Sequence, residues 1–403
     1  MQKFNTPIFL FIVVLCLVIG HVQNDMVSPS FPDMIIFFHT TSKVFHLMSS
    51  ACSLGMIIGG LLFGPLSDSF GRKKTLLLGL GILAASCIGV QLSTEIYGLI
   101  CFRFIQGIGM AAPITICVAM IFDVYDKQKA RELVGRNNAI FVLAKSIVPI
   151  LGGYLNVLVN WQINFLILGV SSIIAIVLVT FYTQETSKFK IHNPSKHAKN
   201  SLRVIFRNYA FLLSDKIMLS YICVLGFMGC ALITYSIGAS IVYINHLGVG
   251  KDIYGIHQGA IWAIFALFCF LNHSLVRYTR IPYVRKLGFV LIILGCVSLN
   301  IVAHFHTTAL LITLGMSLCS AGCALLITNL FTDAMSLHPN LKGSSSSILA
   351  SCRMLFVAVT VAIAGYFFDG TIFPLAYIVS ILLVSATLIY IIVLRPYYKT
   401  LNI

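Results

Sequence analysis

Twelve apolar stretches, each closed by a charged, Pro-containing or Asn-rich break, dominate this sequence. They run from Pro7 to Val27, Leu47 to Phe63, Thr75 to Leu92, Tyr97 to Phe122, Asn138 to Leu158 and Ile163 to Thr183. A second six run from Ile217 to Ile244, Tyr254 to Val276, Leu287 to Val302, Thr308 to Phe331, Ser347 to Phe368 and Ile372 to Leu394. A helical span needs about 20 such residues. A backbone in hydrocarbon must satisfy its own hydrogen bonds, so runs of this length and number are expected to be helices. With 59% apolar and only 10% charged residues, a water-soluble domain of this size would lack the polar surface to cover itself. The expected fold class is an all-α membrane protein of twelve transmembrane helices in two six-helix bundles.

The cations test this count, because inner loops hold the excess of Lys and Arg. With the N-terminus inside, 22 of the 27 Lys and Arg residues fall on inner segments and only Lys43 and Lys251 fall outside. Arg103, Lys145 and Arg353 lie within expected helices. A wrong helix count would scramble that alternation, so both termini are expected in the cytoplasm. The net charge of +15 then belongs to the inner surface, where anionic lipid attracts it, and no nucleic-acid partner is expected. Lys3 ahead of the first run also fits a secretory signal, but no small-residue cleavage site follows. The twelve cysteines lie in apolar runs without zinc spacing, so no metal and no cofactor is expected.

The longest polar break, 184–216, separates an N-terminal bundle (1–183) from a C-terminal bundle (217–403) as a cytoplasmic linker. Its stretch from Ser201 to Leu213 has the pattern of a surface-lying amphipathic helix. The halves echo each other: Gly135 and Lys145 recur as Gly343 and Arg353, both at an offset of 208. That pairing suggests a parallel repeat of the kind found where two bundles rock about a midplane site.

Residues 64–76 read Gly-Pro-Leu-Ser-Asp-Ser-Phe-Gly-Arg-Lys-Lys-Thr-Leu. Gly64, Pro65 and Gly71 permit a tight turn there, and Arg72, Lys73 and Lys74 hold it inside. The segment resembles the loop between helices 2 and 3 of a major facilitator superfamily transporter. Leu99, Arg103, Gln106, Gly107, Gly109, Ala111 and Ala112 resemble the helix 4 signature of that superfamily. Pro149, Gly152 and Gly153 resemble its antiporter signature in helix 5, with Val148 in place of a frequent Gly. Asn24, Asp25, Met26, Pro29 and Pro32, then Trp161, Phe165, Glu185 and Thr186, are similar to the Bcr/CflA-type drug:proton antiporter branch. Gln162 departs from that branch, which usually has Arg after the Trp. The resemblance implies a proton role for Asp25 and a bacterial inner-membrane location.

Asp25 is the one acid that this reading places at or inside a span. A carboxylate there either exchanges protons or caps a helix end in contact with water. His21, one turn earlier on the same face, is a relay or a packed histidine. Arg103 cannot lose its proton and costs about 2.5–3.5 kcal/mol at a helix centre on insertion scales, so it needs a partner. An alternating contact with Asp25, broken by protonation, is one reading and a static ion pair is the other. Gln106 shares either role. Lys145 and Arg353 lie too deep to snorkel easily, about 13 Å from their helix ends. They either form a positive cavity for an anionic or zwitterionic substrate or bind helix-end carbonyls and water. Tyr235 and Trp262 are aromatic walls of that cavity or plain packing.

At the inner face, Asp68 could receive the helix N-terminus around Gly343 to Ser347 while Arg72 pairs with Asp123, with Gly59, Gly60, Gly64, Gly107 and Gly109 permitting close helix approach. These contacts form a closing gate or simply stiffen the loop. The expected function is a proton-coupled secondary transporter, not an enzyme, acting as a monomer. It would export a small molecule, a drug or metabolite, by alternating access. Import of an anionic metabolite by proton symport is the alternative.

Overall fold

A computed structural model of the protein describes residues 6–187, 207–305, 307–338 and 341–400. The chain divides into two compact units, Met1–Ala198 and Lys199–Ile403. In unit 1, α1 (Thr6–Val27) passes through a 3-10 turn, Ser28–Ser30, into α2 (Phe31–Phe37). Pro29 and Pro32 each remove a backbone donor, which accounts for the change of pitch within one continuous span. There follow α3 (Ser42–Phe70), α4 (Arg72–Leu92), α5 (Ile96–Val124), α6 (Lys127–Leu158) and α7 (Gln162–Tyr182). Unit 2 opens on α8 (207–214) and continues with α9 (Lys216–Ile241) extended by a π turn, α10 (Lys251–Thr279), α11 (Ile281–Phe305) and α12 (Ala309–Leu337). It ends with α13 (Lys342–Phe367), α14 (Phe373–Ile389), a second π turn and α15 (Arg395–Thr400). Twelve helical stretches of the described residues are long and apolar enough to cross a membrane.

The two units pack by one scheme. In unit 1, α5 contacts α1, α3 and α4, while α1 contacts α6 and α7 and α4 contacts α7. In unit 2, α12 contacts α9, α10 and α11, while α9 contacts α13 and α14 and α11 contacts α14. Six pairings in the same chain order amount to an internal structural repeat, and α6 and α13, carrying Lys145 and Arg353, are its corresponding members.

The exterior carries many large apolar side chains. On α6, Ile147, Leu151, Tyr154 and Leu158 are all exposed, and their spacing of four, three and four places them on one stripe. Water would penalise such a stripe; lipid does not. The interior of unit 1 joins Phe9, Ile12, Val13 and Cys16 of α1 to Cys117, Met120 and Ile121 of α5. Helices α3 and α5 approach each other closely. A Cβ on Gly107 would stand 2.0 Å from the Cys52 carbonyl oxygen, and one on Gly55 would stand 2.1 Å from that of Phe104.

Several expectations need correction. Gly64 and Pro65 do not make the turn: α3 runs through both to Phe70, because an internal proline removes a single donor. The chain reverses at Gly71 alone, whose φ of +98° suits glycine. Gly60 and Gly64 have open space where a side chain would go, so they are not part of the close approach; Gly55, which the sequence reading passed over, is. Asp33 lies in α2 within the first span and not in a loop, and Asp68, Asp123 and Asp333 sit in the end turns of helices. Of the amphipathic stretch Ser201 to Leu213, the part before residue 207 lies outside the described residues; the rest belongs to α8.

Candidate functional site

Residues Gln23, Asn24 and Asp25 of α1 carry three polar side chains into the interior of unit 1 within one helical turn. Successive residues on a helix point about 100° apart, so each meets a different neighbour. Asp25 turns to α6, where Lys145 Nζ lies 3.0 Å from its Oδ2; the side chains of the pair are 6% and 15% exposed. Asn24 turns to α5, where its Oδ1 accepts from Arg103 Nη2 at 2.5 Å. Gln23 accepts from Gln106 Nε2 at 2.8 Å through its Oε1 and donates to the Ile19 carbonyl.

The Arg103 guanidinium is fully buried. Its Nη1 donates to Gln106 Oε1 at 2.6 Å, its face lies over the Phe165 ring of α7 at 5.8 Å, and its Nε has no hydrogen-bond partner among the described residues. Neutral amide oxygens therefore receive the charge, and ordered dipoles carry part of what a carboxylate would supply. The reading that paired Asp25 with Arg103 is thus corrected in its partners: Asp25 is bonded to Lys145, and Arg103 to Asn24 and Gln106. Lys145, read from the sequence as a cavity cation, has an internal counter-ion.

The α1–α6 seam repeats this matching along its length. His21 stacks on Phe141 with ring centroids 4.4 Å apart and donates from Nδ1 to the Leu17 carbonyl at 2.8 Å. Asp25 meets Lys145 one turn further along both helices. Beyond that, Asn156 Nδ2 donates to Asp33 at 2.8 Å, and Asn164 of α7 donates to Ser30 and to the Gly152 carbonyl. Gly152 is required here: a Cβ would stand 2.1 Å from the Met26 carbonyl oxygen. Its absence lets α6 close on α1 beside the ion pair.

The remaining candidates lie apart from this cluster. In unit 2, Tyr235 is buried and bonded to Tyr243, which reaches Thr313; Trp262 is buried with an edge contact to Phe265. Arg353 lies against Gly229 of α9 and makes no ion pair or hydrogen bond among the described residues.

At the inner end of unit 1, Arg72 reaches Asp123 at 3.0 Å, the exposed Asp68 one turn back, and Ser67. Glu185 enters the sequence reading only through the family resemblance, and its structural role was missed. Its carboxylate accepts from the backbone nitrogens of Arg72 and Lys73 at 2.9 and 3.2 Å and so caps α4, which begins after a glycine with no side chain of its own. An acid just beyond α7, facing an uncapped helix that starts Gly-Arg-Lys, was the available signal. Unit 2 has a matching knot in Arg285, which bonds Asp333 at 2.5 Å and lies over the Tyr398 ring at 3.9 Å. Arg72→Ala is expected to cost about 2–3 kcal/mol, mainly through the half-buried Asp123 and Ser67 bonds. A thermal-unfolding midpoint in detergent equal to that of the wild type would contradict this.

The chain is 25% identical to a bicyclomycin resistance protein homolog of Haemophilus influenzae over 96% of both chains. It is 23% identical to the multidrug transporter MdfA of Yersinia pestis over 87% of this chain and 85% of that one. Among solved structures it resembles a D-xylose–proton symporter, with a TM-score of 0.76 and 15% identity over 96% of this chain and 98% of that one. A bacterial homolog of the human lysosomal transporter Spinster, inward-facing and unoccupied, gives a TM-score of 0.80 at 13% identity over 99% and 98%. Among the described residues, twelve apolar helices in one six-pairing scheme used twice make a multi-pass membrane transporter fold, and the Major Facilitator Superfamily model matches residues 13–361: the chain belongs to that superfamily.

Proposed function

We propose that this protein exports a small molecule in exchange for protons by alternating access, with Asp25 as the proton acceptor and both termini on the cytoplasmic side of a bacterial inner membrane. The Asp25–Lys145 pair carries this reading. An acid paired with an ammonium inside a membrane bundle has two well-defined conditions: ionised and paired, or protonated with the ammonium released. Each binds its surroundings differently, which is what coupling requires. His21, one turn inward on the same helix, is the proposed relay, and the Arg103–Gln106–Gln23 network is the proposed rigid frame that holds α1 against α5. The Arg72–Asp123–Glu185 cluster is the proposed inner gate, since its bonds tie α4, α5 and the end of α7 and can break as a group. The names of the bicyclomycin resistance homolog and the multidrug transporter support export over uptake.

Cells expressing the chain are expected to accumulate less bicyclomycin than control cells, and a protonophore is expected to abolish the difference. A difference that survives the protonophore would exclude proton drive.

A further inference from the structure

We propose that Lys145 is a built-in counter-cation which excludes positively charged cargo from the Asp25 site. The inference rests on Asp25 being the coupling acid and concerns which cargo can approach it. The ammonium of Lys145 lies 3.0 Å from the carboxylate, with both side chains largely buried. A cationic cargo would have to displace a tethered ammonium, which competes at an effective concentration of about millimolar or above. Protonation does not open the way. It neutralises Asp25 and leaves Lys145 charged, so a cation meets a competing ammonium in one condition and an uncompensated one in the other.

The neighbours add to this effect. Helix α1 contributes His21 beside the acid, α5 contributes the buried Arg103, and α7 brings Phe165 and no charged side chain. Asp33, the other acid of the first span, is two turns further on and engaged by Asn156. With the pair closed, Asp25 and Lys145 cancel, and a neutral molecule meets no charge penalty. Lys145 is in this reading a specificity-determining residue.

The test uses purified full-length protein in detergent and tetraphenylphosphonium as the probe cation. Wild type is expected to show no saturable binding. Lys145→Ala is expected to bind the probe at least about tenfold more tightly, and Lys145→Ala with Asp25→Asn is expected to lose that binding. Lys145→Arg, which keeps the charge, is expected to exclude the probe as wild type does and guards against an effect of misfolding. Wild type binding the probe as well as Lys145→Ala, or Lys145→Arg admitting it, would overturn the proposal, as would a well-folded Lys145→Ala that gains nothing. Proton coupling is read separately, from pH-driven flux in wild type and Asp25→Asn. Loss of coupling in Asp25→Asn together with an unchanged Lys145→Ala would refute the specificity claim and leave the proton reading intact.

Discussion

Asp25→Asn is expected to leave cargo flux in proteoliposomes indifferent to an imposed pH gradient, a loss of about tenfold or more in gradient-driven rate. Asparagine keeps the shape of the side chain and its hydrogen-bonding capacity but cannot ionise. The coupling loss therefore separates protonation from packing. The substitution also strands Lys145. Removing one member of a buried pair costs about 3–5 kcal/mol, and the partial exposure of Lys145 places the expected cost at or below the lower end. Asp25→Asn with Lys145→Met removes the stranded charge, so it is expected to recover thermal stability without recovering coupling. Recovery of both would assign the proton to another group.

Gly107→Val is expected to abolish the folded protein. Its Cβ alone would meet the Cys52 carbonyl oxygen at 2.0 Å, well inside van der Waals contact, and the obstacle is backbone on α3, which no rotamer change can move. The same seam has Gly55 against Phe104, so the two helices would separate at both points. Overpacking of this kind costs about 3 kcal/mol or more and forfeits the close backbone approach on which helix association in lipid depends. The check is the yield of monodisperse protein and its unfolding midpoint. Gly60→Ala, where nothing lies within 4 Å of the new atom, is the matched control and is expected to be neutral. Normal yield of Gly107→Val would mean that the α3–α5 seam is looser than described.

Sequence reading reached the fold because lipid imposes one rule on every span: the run of apolar residues must be long, and the breaks must carry charge. It set helix ends too far inward at Leu47 and Phe63, where α3 runs from Ser42 to Phe70. Hydrophobicity marks the hydrocarbon layer, whereas a helix continues past it until a residue such as Gly71 stops it. The site was legible in its members and not in its pairings. Asn24 and Asp25 are adjacent in sequence and both suit a buried cation; which of them faces α5 and which faces α6 depends on how far α1 is rotated about its axis. That rotation is set by contacts such as Gly152 against Met26 and Asn164 against Ser30, which a single sequence does not reveal. Arg72 with Asp123 was easier, since each stands at a helix end where few partners are available. Glu185 was visible as a family resemblance, yet its role as the cap of α4 depended on seeing that the helix starts with no capping side chain.

The central claim is that cargo leaves as a proton enters through Asp25. The most direct test places wild type and Asp25→Asn in energised inverted membrane vesicles with a fluorescent reporter of the pH gradient. Cargo added to wild type is predicted to collapse part of the gradient in proportion to cargo moved, and cargo added to Asp25→Asn to leave it untouched. Cargo accumulating in wild-type vesicles with no change in the gradient would contradict the account.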